Sequence, residues 1–487
     1  MIAAEVRRGR WVDSAKLLSA ARVAEGADGV EQAACFMATS ANLDEARGMG
    51  LWDDSMAGAG PDDLVIVVGG PEAQAGLQAA AAVLDARPGA SGGVVAAAPR
   101  SLSKVTADIA LISVPGDYAA LEAHKALSAG MDVMLFSDGV TIEDEVVLTR
   151  RARELGRLVM GPGCGTAIIE GVGLAFANVV RRGPVGVVAA AGTGAQEVTV
   201  LLDRYGLGVS TCYGTGGRDL YEDVGAITML DAIDRLVADP QTDVILCVSK
   251  PPAPSVAEQV LAALSATHKP AAVCFVGATG LDAPDGVTIA ETLEDAAVVA
   301  ARLAGATAER AGDAAIDWVH PGLVRGLYSG GTLCSEAAAI LADRLPMVES
   351  NAAAGNAVKL AAGQAPTTHA CLDLGEEEYT RGRPHPMIDP LARAELLAEV
   401  AADPAVSVIL LDVVLGYGSH PDPAGALVPV IRDALARREG LAIIAHVCGT
   451  EADPQVASRQ EATLADAGVR LAPTNAHAAR LAAALVG

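Results

Sequence analysis

Two stretches of the 487-residue chain place small residues where a strand hands over to a helix. Gly192-Thr193-Gly194 follows the apolar run 185–190, and Ser329-Gly330-Gly331-Thr332 follows Gly326-Leu327-Tyr328. Such a turn leaves the first N–H groups of the helix bare, with no side chain in the way, and so attracts phosphate or carboxylate. Glycine at a strand–helix turn also serves plain steric packing, but two such turns in consecutive units favour the anion reading. Gly217-Arg218-Asp219 closes a third glycine-rich loop, where Arg218 is a candidate anion ligand. Lys250 stands between the apolar run 244–248 and two prolines. A strand end there would aim its ammonium into a cleft, to neutralise charge developing on a transferred carbonyl.

The run 376–386 combines three glutamates with Arg381, Arg383 and His385, too polar to be core. It reads as a loop that closes over a site or docks a partner. Its arginines suit a carboxylate, and its histidine suits general acid–base work near neutral pH. Lys250, His385 and Arg383 are thus the candidate catalytic residues. Gly192, Thr193, Gly194, Gly217, Arg218, Ser329, Gly330, Gly331, Thr332 and Arg381 are the candidate phosphate- and substrate-binding residues. Asp412 and His420 flank another strand end and are weaker candidates for the same cleft. Cys164 and Cys334 sit near turns where a helix start would lower a thiol pKa, although small buried cysteines are the commoner case. The eight cysteines include no CxxC pair and the eight histidines no HxxxH array, so reduced thiols and no metal are expected.

These residues need a scaffold of strand ends. Short apolar runs at 64–68, 93–98, 109–114, 132–136, 158–161, 185–190, 244–248, 271–276, 407–413 and 441–446 alternate with helical stretches, the signature of parallel α/β units. Residues 1–88 read as a small α+β domain with strands at 35–39 and 64–68. Three α/β units follow at 89–170, 184–312 and 318–487, with 171–183 a linker between the first two. Composition narrows the class further. Hydrophobics are 51% of the chain but aromatics only 3%, as stacked βαβ units of Ala, Val and Leu require. The mean hydropathy is +0.35, yet no run nears the roughly 18 apolar residues of a spanning helix. A charge of −25, from 35 Lys and Arg against 60 Asp and Glu, argues against a nucleic-acid partner. With no apolar h-region behind Met1, the expected location is the cytoplasm.

The order of motifs is specific. Ile112-Ser113-Val114-Pro115, Gly161-Pro162-Gly163-Cys164, Gly186-Val187-Val188 with Gly192-Thr193, and Gly214-Thr215-Gly216-Gly217-Arg218-Asp219 resemble the α subunit of succinyl-CoA synthetase. The last unit, with Gly449-Thr450, resembles the C-terminal ligase domain of the β subunit. Runs 37–43, 116–138, 181–183, 249–254, 325–334 and 374–386 extend the likeness over nearly the whole chain to the FdrA family. The resemblance implies a Rossmann-like CoA-binding-type domain at 89–170 and two flavodoxin-like ligase domains after it. It also implies that the turns at 192–194 and 329–332 face each other.

The departures are equally informative. Where synthetases carry a phosphorylated histidine, this chain has Gly277-Ala278-Thr279-Gly280-Leu281, and Lys250 stands about where the supporting glutamate falls. The glycine-rich turn for CoA is replaced by Ala97-Ala98-Pro99-Arg100-Ser101, and no ATP-grasp pattern is present. The resemblance then implies an oxamate carbamoyltransferase subunit, exchanging a carbamoyl group between oxalurate and phosphate. Phosphate or carbamoyl phosphate is its expected substrate, with no certain cofactor, and further subunits and self-association are expected. In that reading Arg381, Arg383 and His385 bind oxamate-like carboxylates. An acyl-CoA synthetase that borrows a nucleotide-binding partner and a non-catalytic scaffold are the alternatives.

Overall fold

A computed structural model describes residues 1–12, 14–85, 102–312, 321–381 and 383–486. The chain divides into two compact units, Met1–Ala98 and Pro99–Gly487. In the first, β1 (Ile2–Arg7), α1 (Ser14–Glu25), β2 (Gln32–Met37), α2 (Ser40–Gly48), β3 (Leu64–Gly69) and α3 (Ala73–Asp85) build an antiparallel sheet in the order β1-β3-β2. The expected strand at 64–68 is central there, flanked by β2 and by the unanticipated β1. The expected strand at 93–98 lies outside the described residues.

The second unit opens with β4 (Ile109–Ile112), α4 (Gly116–Ser128), β5 (Asp132–Leu135), α5 (Ile142–Glu154) and β6 (Val159–Met160), a small parallel sheet ordered β4-β5-β6. Helix α5 shows why these residues are helical. Thr141 caps it by accepting from Asp144 N, acids fill its first turn, and Arg151 and Arg153 sit in its last, opposing the dipole at both ends.

Next come β7 (Thr166–Ile169), β8 (Val172–Ala175), β9 (Arg182–Ala190), α6 (Gly192–Arg204), β10 (Val209–Gly214), α7 (Ile227–Ala238), β11 (Val244–Ser249), α8 (Pro254–Ser265), β12 (Ala271–Phe275), β13 (Val287–Ile289) and α9 (Leu293–Leu303). Their seven-stranded sheet runs β13-β12-β11-β9-β10-β7-β8, parallel from β13 to β10. The stretch expected to be a linker is instead built into it, because β8 pairs antiparallel with β7. The remaining elements are β14 (Leu323–Tyr328), α10 (Gly331–Ala342), β15 (Val348–Ser350), β16 (Val358–Lys359), β17 (His369–Asp373), α11 (Glu377–Thr380), α12 (Leu391–Ala402), β18 (Val406–Val414), α13 (Pro423–Arg437), β19 (Ala442–Cys448), α14 (Ala457–Ala465), β20 (Arg470–Ala472) and α15 (Asn475–Val486). They form a second parallel seven-stranded sheet, β16-β15-β17-β14-β18-β19-β20.

Helices α6, α9, α10 and α15 pack on one another and on both large sheets, forming a shared middle layer. One apolar cluster runs from Ile168 through Val198 and Leu333 to Leu485, so the two sheets share a core. Helix α6 is buried on every side from Thr193 to Leu202, as a helix between two sheets must be.

Charge is buried in that layer too. Glu197 of α6 lies 2.7 Å from His446 Nε2, and His446 Nδ1 lies 3.2 Å from the Ala472 carbonyl. Burial alone would raise the Glu197 carboxyl, but His446 holds it below its ordinary range. Glu336 has no ion-pair partner among the described residues. It accepts from Leu293 N and Asn475 Nδ2, each at 2.7 Å, and burial pushes it up to about 8 from 4.5. A carboxyl raised on folding binds a proton in the folded chain that the unfolded chain has released, so its contribution to stability falls as pH rises through that window. Glu336→Gln, which mimics the protonated form, is expected to raise the thermal midpoint at pH 8 and to flatten the midpoint's decline above pH 5. A profile parallel to wild type would refute this.

Candidate functional site

The strand order delivers two carboxylates to one helix start. β14 lies between β17 and β18, with Tyr328 opposite Asp373 and Leu327 opposite Leu411. Asp373 and Asp412 therefore both end beside the turn into α10. This is the carboxyl edge of a parallel sheet, where α/β proteins bind ligands.

The two glycine turns meet. Thr332 N donates to Thr193 Oγ1 at 3.3 Å. A Cβ on Gly194 would stand 2.9 Å from Thr332 Cγ2, and one on Gly330 would stand 2.7 Å from Thr193 Cγ2. Only glycine permits that approach. The turns differ, however, in what they can still bind. Asp412 accepts from Ser329 N at 2.8 Å, Ser329 Oγ at 3.1 Å and Gly330 N at 2.8 Å. Arg393 Nη2 pairs with the same carboxylate at 2.8 Å, and neither side chain is more than 4% exposed. Ser329 and Gly330, expected to hold phosphate, are thus committed to an internal anion. The α6 start has no side-chain cap, and a Cβ at Gly192 would meet only Thr166 Oγ1, at 3.5 Å. Its amides are the open ones.

Lys250 follows β11 and reaches the same place, with its Nζ 3.3 Å from where a Gly331 Cβ would be. Asp373 Oδ2 crowds the same Gly331 position, so Gly331 has no room for a side chain. Asp373 Oδ1 accepts from Gly375 N at 2.9 Å, and Asn351 braces its backbone with two 2.8 Å bonds. Burial pushes the Asp373 carboxyl up to about 6, against the pull of Lys250 and with help from Glu376 and Asp412. An ammonium and a carboxyl that titrates near neutrality, at a helix start in contact with the open α6 turn, can bind an anion and move a proton.

Of the other expected residues, His385 stays beside the Asp373 loop and the rest go elsewhere. His385 lies against Gly375, and its Nδ1 accepts from Met387 N at 3.2 Å. Its ring stands 6.0 Å from that of Phe176, and burial lowers its pKa to about 4. It does not titrate near neutral pH as expected: the ring is neutral there, with its proton on Nε2. Arg381 and Arg383 are exposed and pair with Glu377 at 2.8 Å and Glu395 at 3.3 Å. Neither meets Lys250 or Asp373. Arg218 is turned to buried Glu145 at 2.7 Å and to the Val140 carbonyl at 2.8 Å. It serves as an internal counter-ion, while Gly217 beside it faces open space. Asp219 caps α7 through Thr228 N and Met229 N, and burial pushes it up to about 7. Burial pushes Cys164 up to about 12 and Cys334 well above the ordinary thiol range, which removes both as thiolate nucleophiles. His420 Nδ1 accepts from Asp422 N in a turn. Among the described residues no three His, Cys, Asp or Glu side chains group as a metal site, and no helix is long and apolar enough to cross a membrane.

Comparison with known proteins agrees with this architecture. Residues 327–485 match the CoA-ligase family, 180–277 the CoA binding domain, and 1–98 the AllF heavy metal-associated domain. The first 98 residues contain no histidine and one cysteine, Cys35, whose thiol burial pushes up to about 12. They do not fit a thiolate metal site. The chain is 40% identical to YahF of Escherichia coli K12 over 98% of its own length and 97% of that protein. It is 30% identical to the succinate–CoA ligase α subunit of Aquifex aeolicus over 31% of this chain and 50% of that subunit. A solved dinucleotide-forming acetyl-coenzyme A synthetase from Ca. Korarchaeum cryptofilum, with phosphate and ADP, covers 82% of this chain and 87% of its own at 18% identity and a TM-score of 0.36. With facing glycine turns, parallel ligase-type sheets and a full-length relative, the chain belongs to the FdrA-type family of succinyl-CoA-synthetase-like proteins.

Proposed function

We propose that the chain is a subunit of a carbamoyl-transferring enzyme that exchanges the carbamoyl group of oxalurate with phosphate. The reading rests on one observation above the others: Lys250 and Asp373 meet at the contact of the two helix starts, while no histidine stands in the 277–281 loop. Transfer to free phosphate needs an anion cradle and a cation for the carbonyl oxygen, with no phosphohistidine relay. In this reading Gly192, Thr193 and Gly194 hold phosphate through backbone N–H groups, and Lys250 takes the charge on the carbamoyl oxygen. The enzyme would work in the cytoplasm with further subunits.

The test is phosphate-dependent breakdown of oxalurate, followed as carbamoyl phosphate formed, by the chain alone and with its co-purifying subunits. Absence of turnover in every combination rejects the proposal. Gly192→Val, whose Cβ meets no main chain, is expected to fold but to lose phosphate protection against thermal unfolding. Protection equal to wild type would remove the α6 start from the site.

A second reading, acyl-CoA ligation with a nucleotide-binding partner, is favoured by the matches to the CoA-ligase and CoA binding families. Thioester formation that depends on both CoA and nucleotide would select it.

A further inference from the structure

We infer that Asp373 carries the proton of this transfer, taking it from phosphate and delivering it to the departing nitrogen. The inference rests on the carbamoyl reading and adds a reacting residue to it. Its ground is the contrast between the two carboxylates at the α10 start. Asp412 is saturated, accepting from two amides, a hydroxyl and a guanidinium. Asp373 is held by one oxygen only: Gly375 N binds Oδ1, and among the described residues no hydrogen bond takes Oδ2. That free oxygen faces Gly331 beside the Lys250 ammonium. Thr193 Oγ1 of the neighbouring turn touches the same helix start through Thr332 N. One buried carboxylate is therefore structural and the other is presented to a ligand.

The chemistry closes. Phosphate enters as its hydrogen dianion, and oxalurate as a monoanion. A phosphate oxygen forms the new bond to the carbamoyl carbon, and the carbon–nitrogen bond to oxamate breaks. Oδ2 accepts the phosphate proton as the first bond forms and returns it to the nitrogen as the second breaks. Carbamoyl phosphate leaves as a dianion and oxamate as a monoanion, with no net proton exchanged with solvent. Lys250 stays an ammonium throughout, beside the carbonyl oxygen.

The groups facing Asp373 set its titration. Lys250 from the β11 end lowers it, and Glu376 from its own loop and Asp412 from β18 raise it. His385, against Gly375, is neutral, and Cys334 of α10 and Tyr379 of α11 also feel the Asp373 charge. The relay starts from the carboxylate, so turnover must fall as pH drops below about 6.

The experiment measures kcat against pH for the complete enzyme with wild-type chain and with Asp373→Asn. The variant is expected to lose about 10²-fold or more in kcat and the acid limb with it, while phosphate still protects the fold against heat. A variant within about threefold of wild type, with its acid limb intact, would overturn the relay and leave the carbamoyl reading standing. If the variant does not fold, the wild-type profile decides: an acid limb near pH 6 supports the relay, and a flat profile there overturns it. Wild-type enzyme inert toward oxalurate overturns the reading and the relay together.

Discussion

Asp412→Ala is expected to destabilise the second unit by about 3–5 kcal/mol, because it strands a charge that the fold has buried. Arg393 is 4% exposed and would lose its only carboxylate among the described residues, while the N–H groups of Ser329 and Gly330 would lose their acceptor. Arg393 would keep its bonds to the Leu327 carbonyl at 2.7 and 3.0 Å, which neutralise nothing. Asp412→Asn should be milder, since an amide oxygen can still accept from the turn although the counter-charge is gone. Thermal unfolding of the intact chain should show the alanine midpoint lower by several degrees, with asparagine between it and wild type. An alanine variant that melts with wild type would show that Asp412 is not what holds the α10 start.

Lys250→Met is expected to lower kcat about 10²–10³-fold, the usual effect of removing one group that stabilises developing negative charge. It should also move the acid limb. Lys250 lowers the Asp373 carboxyl, so without the ammonium the carboxylate form is less favoured and the limb shifts above about 6. At neutral pH more of the enzyme would then hold Asp373 protonated. Lys250→Arg should restore the limb toward its original position, because the charge returns. Methionine at wild-type kcat with an unmoved limb would remove Lys250 from the reaction, whatever else the site does.

Much of the architecture was legible along the chain because it is written at short range. The run 185–190 followed by Gly192-Thr193-Gly194 is a strand, a bare turn and a helix by local rules alone, and β9 and α6 follow it. The short strands went unseen for the same reason. β17 is the five-residue HACLD, and β15 is three residues long, too brief for a periodic signal. Missing β17 meant missing Asp373. β8 falls within the stretch 171–183 that reads as a linker, because nothing along the chain marks its antiparallel pairing with β7.

The residue types were legible as well, but their partners were not. Chain chemistry alone marked Lys250, Arg218, Arg381, Arg383 and His385 as charged or titratable groups near turns, and it established that no histidine occupies the 277–281 loop. Only the tertiary structure decided which of them face a shared space. Arg218 found Glu145, 73 positions before it, and Lys250 found Asp373, 123 positions after it, counted from their sequence numbers. The physical reason is sheet order: β17 and β18 flank β14 through crossover connections, and that adjacency alone puts Asp373 and Asp412 at one helix start. Burial then did the rest. It moved His385 below neutrality and Asp373 up toward it, so the titrating group of the site is the aspartate that tertiary packing buried.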